Sequence, residues 1–306
     1  MAEGGEPFSL DRRRLRASFD RASGSYEAAA ALQAQVAAEL LERLGAFEFE
    51  PRVVLDLGAG TGRVTRALKR RYRRALVIAL DIAPGMLREA RRHQGLLRRF
   101  ARVCADAERL PLADASVDLV YSSLMLQWCE PLAPALAEVR RVLKPSGFFA
   151  FSTLGPDTLR ELRAAWAAVD DFSHVHRFLD VHDVGDALAH AGLAEPVLDV
   201  DRVTLSYEDT LGLMRDLKAI GAHNVTAGRP RTLSGRARLA RMSAAYEPWR
   251  QGGRLPATYE VIYGACWGGA GARAAPGQGA EVHIAPAAIR RRGPRVQGRT
   301  LEASRK

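Results

Sequence analysis

Residues 52–62, RVVLDLGAGTG, decide how the chain folds. Val53 to Leu57 form a short apolar run interrupted only by Asp56, which predicts a buried strand. The glycines at 58, 60 and 62 predict a tight turn, and segment 63–73 spaces its apolar residues as a helix does, with basic residues on the other face. The unit is therefore a strand, a glycine turn and a helix whose N-terminal amides face a ligand.

The spacing of the glycines separates two kinds of nucleotide-binding turn. A dinucleotide fingerprint, G-x-G-x-x-G, would need glycine at position 63, where this chain has Arg63. The run is G-x-G-x-G and, with its preceding acid, DLGAGTG resembles motif I of the class I methyltransferases that use S-adenosylmethionine. In that family the turn packs on the methionine part of the cofactor and the acid lies near its amino group. The resemblance implies a cofactor site that includes Asp56, Gly58, Ala59, Gly60 and Gly62.

Further acids follow the next predicted strands. ALVIALD, 75–81, ends in Asp81, and the strand from Arg102 is followed by Asp106. In nucleotide-binding α/β folds the first of these acids binds the ribose hydroxyls, and in this fold the second commonly receives the adenine amino group. Taken alone, Asp106 also fits a turn-forming aspartate. Because ligands bind at the carboxyl ends of parallel strands, the predicted cofactor set also contains Ile82, Met86, Ala107 and Ser122.

The order of elements predicts an α/β fold, a Rossmann-like doubly wound sheet of the class I methyltransferase type. Later strands are predicted at 117–122, 147–153 and 196–207, and a half-buried one at 256–268 closes the sheet. K-P-S-G before the fifth strand is predicted as a turn. Two N-terminal helices are expected, with a break near Gly24 and Ser25 as the cap of the second. The predicted organisation is a helical lid at 1–44, a methyltransferase domain at 45–268 with helical insertions at 155–195 and 208–250, and a mostly disordered basic tail at 269–306.

Composition limits the classes of protein to consider. The 306-residue chain carries a net charge of +10, which suits an acidic partner, although a high-GC genome that prefers arginine to lysine would explain part of the excess. No apolar run approaches the roughly 20 residues of a spanning helix, and no presequence pattern precedes the domain, so a cytoplasmic location is expected. The three cysteines are far apart and are predicted to be free thiols in or near the core.

Several stretches outside the generic fold resemble one family closely. The chain resembles the malonyl-[acyl-carrier protein] O-methyltransferases of biotin synthesis from about Arg14 to Arg292. One departure is Ala59, where many relatives have cysteine, and a small residue still fits the turn. The segments that carry the resemblance are FDRASGSYEAAAALQ, SSLMLQWC, FSTLGPDTLRELRAAW, HVHRFLDVHDVGDAL, LKAIGAHNVTAGR and RLPATYEVIYG.

The resemblance implies transfer of a methyl group from S-adenosylmethionine to the free carboxylate of a malonyl thioester on acyl-carrier protein or coenzyme A. A carboxylate is already ionised at neutral pH, so no general base is required. The site must place the carboxylate and exclude water. Because the negative charge of the carboxylate is lost in the transition state, a phenol with one arginine suits it better than an arginine cluster. The candidates are Tyr26, Gln127, Trp128, Arg177, His223 and Asn224.

Each candidate also has a structural interpretation. Tyr26 also fits an exposed tyrosine at the edge of the core, Trp128 a core aromatic, Arg177 a surface ion pair, and GAHN a helix end closed by Gly221. The histidines and aspartates of 174–183 fit no single face, and the reaction needs no metal, so no metal site is expected.

An acidic acyl-carrier protein is the expected partner, and it would account for the net positive charge. Rival functions are methylation of another carrier-bound or small substrate, arginine hydroxylation by an assembly factor of the same fold, and binding without turnover. Nucleic-acid methylation is disfavoured because SSLM stands where an N-P-P-[YF] motif would be. The basic residues available for docking are Arg163, Lys218, Arg229, Arg231, Arg236, Arg238 and Arg241.

Overall fold

A computed structural model describes residues 11–47, 49–95, 98–222, 235–269 and 299–302. Within these ranges the chain forms one eight-stranded sheet. Its strands are β1 (Val53–Leu57), β2 (Leu76–Asp81), β3 (Ala101–Cys104), β4 (Val117–Ser123), β5 (Leu143–Leu154), β6 (Ala194–Tyr207), β7 (Leu255–Trp267) and β8 (Arg299–Glu302). Their order across the sheet is β3-β2-β1-β4-β5-β7-β6-β8.

The sheet reverses its winding direction between β1 and β4. From β1 the chain adds β2 and then β3 in parallel on one side, and it then returns to place β4 on the other side of β1. Such a reversal leaves a crevice outside the carboxyl ends of the strands, where doubly wound sheets bind ligands. The predicted doubly wound α/β fold is confirmed.

Helices cover both faces of the sheet. One face carries a core that includes Val36 and Leu68, and the other a core that includes Leu136 and Leu188. None of the described helices is long and apolar enough to cross a membrane. The helices are α1 (Arg12–Ala22), α2 (Tyr26–Ala29), α3 (Ala31–Arg43), α4 (Arg63–Arg71), α5 (Pro84–Arg92), α6 (Ala133–Val142), α7 (Arg160–Ala167), α8 (Val181–His190), α9 (Thr210–Ala219) and α10 (Arg236–Tyr246).

Two local predictions are wrong. Within 11–47 three α-helices, not two, precede β1. Ser25 does not cap the second, because its hydroxyl donates to the carbonyls of Ala22 and Ala219 at 3.2 and 3.0 Å. The K-P-S-G segment falls within the bounds of β5 but bulges out of the ladder, because Leu143 pairs with Val117 and the next pair is Phe148 with Leu119.

The last strands also differ from expectation. β7 does not lie at the edge of the sheet but between β5 and β6, antiparallel to both, so it is buried along nearly its whole length rather than half-buried. β8, in the tail predicted to be mostly disordered, pairs in parallel with β6. Cys266 is buried and Cys104 is exposed, so the prediction of core thiols fails for Cys104.

Candidate functional site

The glycine turn between β1 and α4 has the backbone geometry that its sequence demands. Gly58, Gly60 and Gly62 have φ values of +79°, +54° and +75°, a region that side chains disfavour. The amides of Gly58 and Ala59 both donate to the carbonyl of Leu80 at 2.9 Å, which ties the turn to β2. A Cβ on Gly58 would lie 2.3 Å from the Met125 side chain, whereas one on Gly60 would meet nothing within 4 Å. Gly60 therefore leaves the turn open for a ligand to approach its backbone.

Asp81 ends β2 beside this turn, and Asp106 follows β3. Asp81 accepts from the amides of Gly60 and Ala83 at 2.9 and 2.8 Å, and burial raises the pKa of its carboxyl. Asp106 accepts from the amide of Glu108 and from the guanidinium of Arg12, both at 3.0 Å. Each carboxylate oxygen can accept a second hydrogen bond, so both acids keep capacity for a ligand.

Asp56 does not have the position predicted for it. Its side chain is 2% exposed and accepts from the Thr65 hydroxyl of α4 at 2.5 Å, and burial raises its pKa to about 7. Successive strand residues point to opposite faces, so Leu57 lines the cavity described below while Asp56 faces α4. Asp56 joins β1 to α4 instead of facing a ligand.

A cavity of about 1430 Å³ lies at the carboxyl ends of β1 to β4. It is larger than a typical small-molecule pocket of roughly 300–1,000 Å³. Ala59, Gly62 and Ser122, like Asp56, are not among its lining residues, and Ser122 donates instead to the carbonyl of Leu57 at 3.0 Å. The predicted site residues that do line it are Tyr26, Gly58, Gly60, Asp81, Ile82, Met86, Asp106, Ala107, Gln127 and Trp128.

Helices α1 and α2 form a lid over this cavity. Glu27 of α2 accepts from the Thr61 hydroxyl of the glycine turn at 2.8 Å and lies within 4 Å of the basic groups of Arg63, Arg66 and His93. Burial alone would raise the pKa of Glu27, but the Thr61 hydrogen bond and these basic side chains lower it. The lid is thus attached to the same turn that the glycines shape.

The lid is also attached to α5 and α9. Asp20 of α1 accepts from the amide of Gly85, in the first turn of α5, at 2.5 Å. The Ser18 hydroxyl donates to the carbonyl of Gly221, just after α9, at 3.0 Å. A Cβ on Gly85 would lie 2.6 Å from the Asp20 carboxylate, so the absence of a side chain there permits this contact. Three separate elements therefore hold the lid closed.

Tyr26 begins α2 and lines the cavity. Its side chain is half-buried rather than exposed as predicted. Burial, and then the charge of Asp81, raise the pKa of its phenol. The phenol therefore stays protonated at neutral pH and can donate a hydrogen bond.

The end of β4 contributes an aromatic wall. The Trp128 ring packs edge-on against Phe19 of the lid, with 5.3 Å between centroids, and stacks on His176 at 6.0 Å. Gln127 donates to the carbonyl of Leu124 at 2.8 Å, and its side-chain oxygen lies 3.4 Å from the Thr153 hydroxyl. Both amide ends of Gln127 therefore have protein partners, and Trp128 joins the lid to the cavity wall at His176.

Arg177 does not lie in the cavity as predicted. It is exposed and does not line the cavity, whereas His176 and Phe178 on either side of it do. The rings of His176 and Phe178 pack against each other at the cavity wall, and Arg177 between them faces solvent. The segment does not alternate regularly, since Val175 also lines the cavity, so no signal of this orientation was available in the sequence. His223 and Asn224 lie outside the described residues. Cavity residues that sequence reasoning missed include Arg12, Ser123, Leu124, Met125, His174, His176, Phe178, Met214, Leu217 and Tyr259.

The histidines of this region have separate partners. His174 lies 2.8 Å from the Asp170 carboxylate and stacks on Trp166 at 3.7 Å, and Asp180 caps α8. Across the ranges listed for the structure, no group of three or more histidine, cysteine, aspartate or glutamate side chains is placed to hold a metal ion.

Comparisons with known proteins agree with this architecture. A methyltransferase domain family model matches residues 55–151. The structure of a putative methyltransferase from Bacillus halodurans C-125 has a TM-score of 0.55 and 19% identity, covering 76% of this chain and 98% of that one, which shows the fold.

Two sequence relatives are much closer. A malonyl-[acyl-carrier protein] O-methyltransferase from Methylovorus sp. (strain MP688) is 53% identical, covering 86% of this chain and 90% of that protein. One of the same name from Halorhodospira halophila is 52% identical, covering 94% of this chain and 98% of that protein.

Proposed function

The chain belongs to the family of malonyl-[acyl-carrier protein] O-methyltransferases, and from this premise we propose that it methylates the free carboxylate of a malonyl group carried by acyl-carrier protein, with S-adenosylmethionine as the donor. The family predicted from the sequence is confirmed. The proposal depends on one observation: a single cavity, covered by the lid, has the open glycine turn and two acids on one side and the aromatic wall on the other.

The residues on the first side of the cavity fit S-adenosylmethionine. The backbone at Gly60 is accessible, and Asp81 beside it has free lone pairs for a ribose diol. Asp106 could accept from an adenine amino group, with Ile82 and Met86 flanking the ring. Predicted contacts of Asp56, Ala59, Gly62 and Ser122 with the donor are not part of this assignment, because none of the four lines the cavity.

The reaction needs placement more than proton transfer. S-adenosylmethionine supplies a methyl group activated by a positively charged sulfur. Tyr26, protonated at neutral pH, would donate to the acceptor carboxylate from the lid. Trp128 and Phe178 would exclude water from the acceptor side. Removing bulk water raises the reactivity of the anion, and holding it near the methyl group lowers the entropic part of the barrier.

The rim of the cavity offers a surface for an acidic carrier protein. Leu211, Arg215 and Lys218 are spaced four and three residues apart on α9, so they share one helix face, and all three are exposed at the rim. Arg21 of α1 lines the same rim. A leucine framed by basic side chains fits an acidic helix that presents an acyl arm to the cavity.

The other basic residues considered for docking are engaged or lie elsewhere. Arg238 pairs with Asp170, and Arg163 donates to the carbonyls of Pro156 and Thr158 at 2.9 and 3.0 Å. Arg229 and Arg231 lie outside the described residues. Among the predicted docking residues, Lys218 is therefore the one that lines the cavity rim in the structure.

Esterification would change what later enzymes can do with the acyl group. A malonyl end loses its charge as the methyl ester forms, and an uncharged end enters apolar pockets at a much lower desolvation cost. This fits the use of the product as a primer for chain elongation in biotin synthesis.

The proposal is tested by mass measurement. Malonyl-carrier protein is incubated with the enzyme and S-adenosylmethionine, and a gain of one methylene on the acyl group is expected. A free fatty acid methylated with equal efficiency would favour a less selective methyltransferase. An unchanged malonyl-carrier mass would refute the proposed activity.

A further inference from the structure

The aromatic wall contains a buried histidine with one unused nitrogen. His176 is 8% exposed, and its Nε2 lies 3.1 Å from the backbone carbonyl oxygen of Gln127. Its Nδ1 is buried and has no hydrogen-bond partner among the described residues. A carbonyl oxygen only accepts, so Nε2 must carry the proton and Nδ1 of the neutral ring is a bare acceptor.

The ring is held firmly in this orientation. It stacks on Trp128 with an interplanar angle of 14°, and the Phe178 ring meets it edge-on at 5.3 Å. The Glu130 carboxylate oxygen lies 3.9 Å from Nε2, and Asp170 and His174 of the same loop pair with each other at 2.8 Å. Cys129 beside Trp128 is neutral, because burial raises its pKa to about 12. Among the residues that the structure describes, no charged group is within hydrogen-bond distance of Nδ1.

A malonyl end brings a charge into this part of the cavity. An ionised carboxylate has only acceptor atoms, and its burial without a donor is costly. The other basic groups on the described walls are already engaged, because Arg12 is paired with Asp106 and Glu108, and the His174 ring is hydrogen-bonded to Asp170. The remaining basic side chains of the cavity stand exposed at its rim. His176 is the buried group there that can still become a cation.

We propose that His176 is the proton-coupled partner of the acceptor carboxylate: Nδ1 takes a proton from solvent as the malonyl end binds and donates it in a hydrogen bond to the oxygen that is not methylated. This inference rests on the proposed function. When the oxygen–carbon bond of the ester forms, the carbon–sulfur bond breaks and its electron pair stays on sulfur. The ester is uncharged, so the proton on Nδ1 returns to solvent and no net proton is consumed.

A histidine suits this task better than an arginine. An arginine would remain charged after the carboxylate has become an ester, and a buried unpaired cation would then oppose the reaction. Burial lowers the pKa of His176 although the Glu130 carboxylate lies 3.9 Å from Nε2, so the ring is neutral at neutral pH before the malonyl end binds. A bound carboxylate raises that pKa, so affinity for the malonyl end is expected to fall as pH rises from the lowered pKa of the free ring to the higher pKa of the complex.

The inference is tested by isothermal titration of the full chain saturated with S-adenosylhomocysteine, so that no methyl group can be transferred. Malonyl-pantetheine is titrated in two buffers with different enthalpies of ionisation. Uptake of about one proton is expected near neutral pH, where the free malonyl carboxylate is ionised and the free His176 ring is neutral. The methyl ester of the same thioester should bind without uptake.

Two variants locate the proton. His176→Asn places an amide nitrogen near the position of Nδ1, so binding should persist without proton uptake and with a KM that no longer depends on pH. His176→Phe keeps the aromatic stack but removes the donor, and should raise KM for malonyl-pantetheine on the order of 10- to 100-fold. His174→Gln is the matched control, since His174 also lines the cavity but is already paired, and it should retain uptake. Retained binding of S-adenosylhomocysteine shows that each variant is folded.

The outcomes separate this inference from the activity it rests on. If the wild type methylates malonyl thioesters but takes up no proton when malonyl-pantetheine binds its S-adenosylhomocysteine complex, the role of His176 is overturned and the proposed function stands. Uptake on binding that persists in His176→Asn has the same consequence. A wild type that adds no methyl group to malonyl thioesters overturns both.

Discussion

Replacing Glu27 tests whether the lid and the glycine turn act together. Glu27 is the lid residue that accepts from Thr61, and the three basic groups around it lie 3.5–3.7 Å away. Glu27→Ala removes the hydrogen bond and the charge, whereas Glu27→Gln keeps an oxygen for Thr61 and removes only the charge. Because these contacts exist only with the lid closed, they are expected to stabilise that state in particular.

The size of the effect follows from the geometry. A hydrogen bond to a carboxylate contributes about 1.5–3 kcal/mol, which we reduce to about 1 because the side chain is one-third exposed. Ion pairs of this exposure contribute about 0–1 kcal/mol in total after solvent screening. A loss of about 1–2 kcal/mol corresponds to a roughly 5- to 30-fold weaker affinity for a ligand that the closed lid covers. Glu27→Gln should cost only a few-fold, about 2- to 5-fold.

The assay is isothermal titration of each variant with S-adenosylhomocysteine, combined with thermal unfolding. Because the pKa of Glu27 is lowered in the folded protein, its contribution is present at neutral pH and is lost as pH falls through that pKa, below the ordinary glutamate range. Glu247→Gln is the matched control, since it loses an ion pair with Arg250 and does not line the cavity. Unchanged affinity in Glu27→Ala, with only a lower melting temperature, would refute the coupling.

Four further predictions use the same assays. Asp81→Asn should weaken S-adenosylhomocysteine binding about tenfold or more, and Asp56→Asn should weaken it less, since Asp56 does not line the cavity; equal losses by titration would contradict this assignment. In the wild type the folded pKa of Asp56, about 7, lies above the unfolded value, so the folded state binds the extra proton and its stability should fall as pH rises from about 4 to 7. Asp56→Asn should abolish this pH dependence, which a pH series of denaturant unfolding measures. Tyr26→Phe should lower kcat/KM about tenfold while cofactor affinity is kept, and an unchanged kcat/KM would remove the phenol from the site. The pair Arg215→Ala and Lys218→Ala should raise KM several-fold for the carrier-linked substrate, as added salt should, but not for malonyl-pantetheine; the pair Arg70→Ala and Arg74→Ala, on an exposed basic surface away from the cavity, removes equal charge and should have no such effect.

The sequence predicts the first half of the sheet well because there each strand is a short apolar run that ends in a turn. Val53–Leu57 and Leu76–Asp81 are buried strands of this kind, and the structure reproduces them within one residue. Glycine spacing and the position of Asp81 follow from the same local rules. Short-range sequence patterns are therefore sufficient to predict a buried strand followed by a glycine turn.

Predictions fail where the orientation of a side chain depends on distant contacts. Asp56 reads as a ligand-facing acid, but strand alternation and Thr65 direct it toward α4. Arg177 reads as the cation of HVHRF, but packing of its two neighbours on the aromatic wall turns it to solvent. β7 reads as half-buried because its alternation is visible, whereas its neighbours β5 and β6 are assigned only by the folded sheet. An irregular loop has no periodicity from which its register could be derived.

Charge explains why the lid and the inserted segments are arranged as they are. The proposed reaction joins a cationic donor to an anionic acceptor and leaves two uncharged products, so a fixed buried charge would favour the reactants over the transition state. The side chains offered to the acceptor inside the cavity, Tyr26 and His176, can donate without a permanent charge, and the internal guanidinium of Arg12 is already neutralised by carboxylates. The permanent charges of Arg215 and Lys218 stand at the rim, where they would attract an acidic carrier and take no part in the change of charge. Moving one such charge inward, for example by His176→Arg, should therefore tighten binding of the malonyl end while lowering kcat, and a rise in both affinity and kcat would contradict this account of the site.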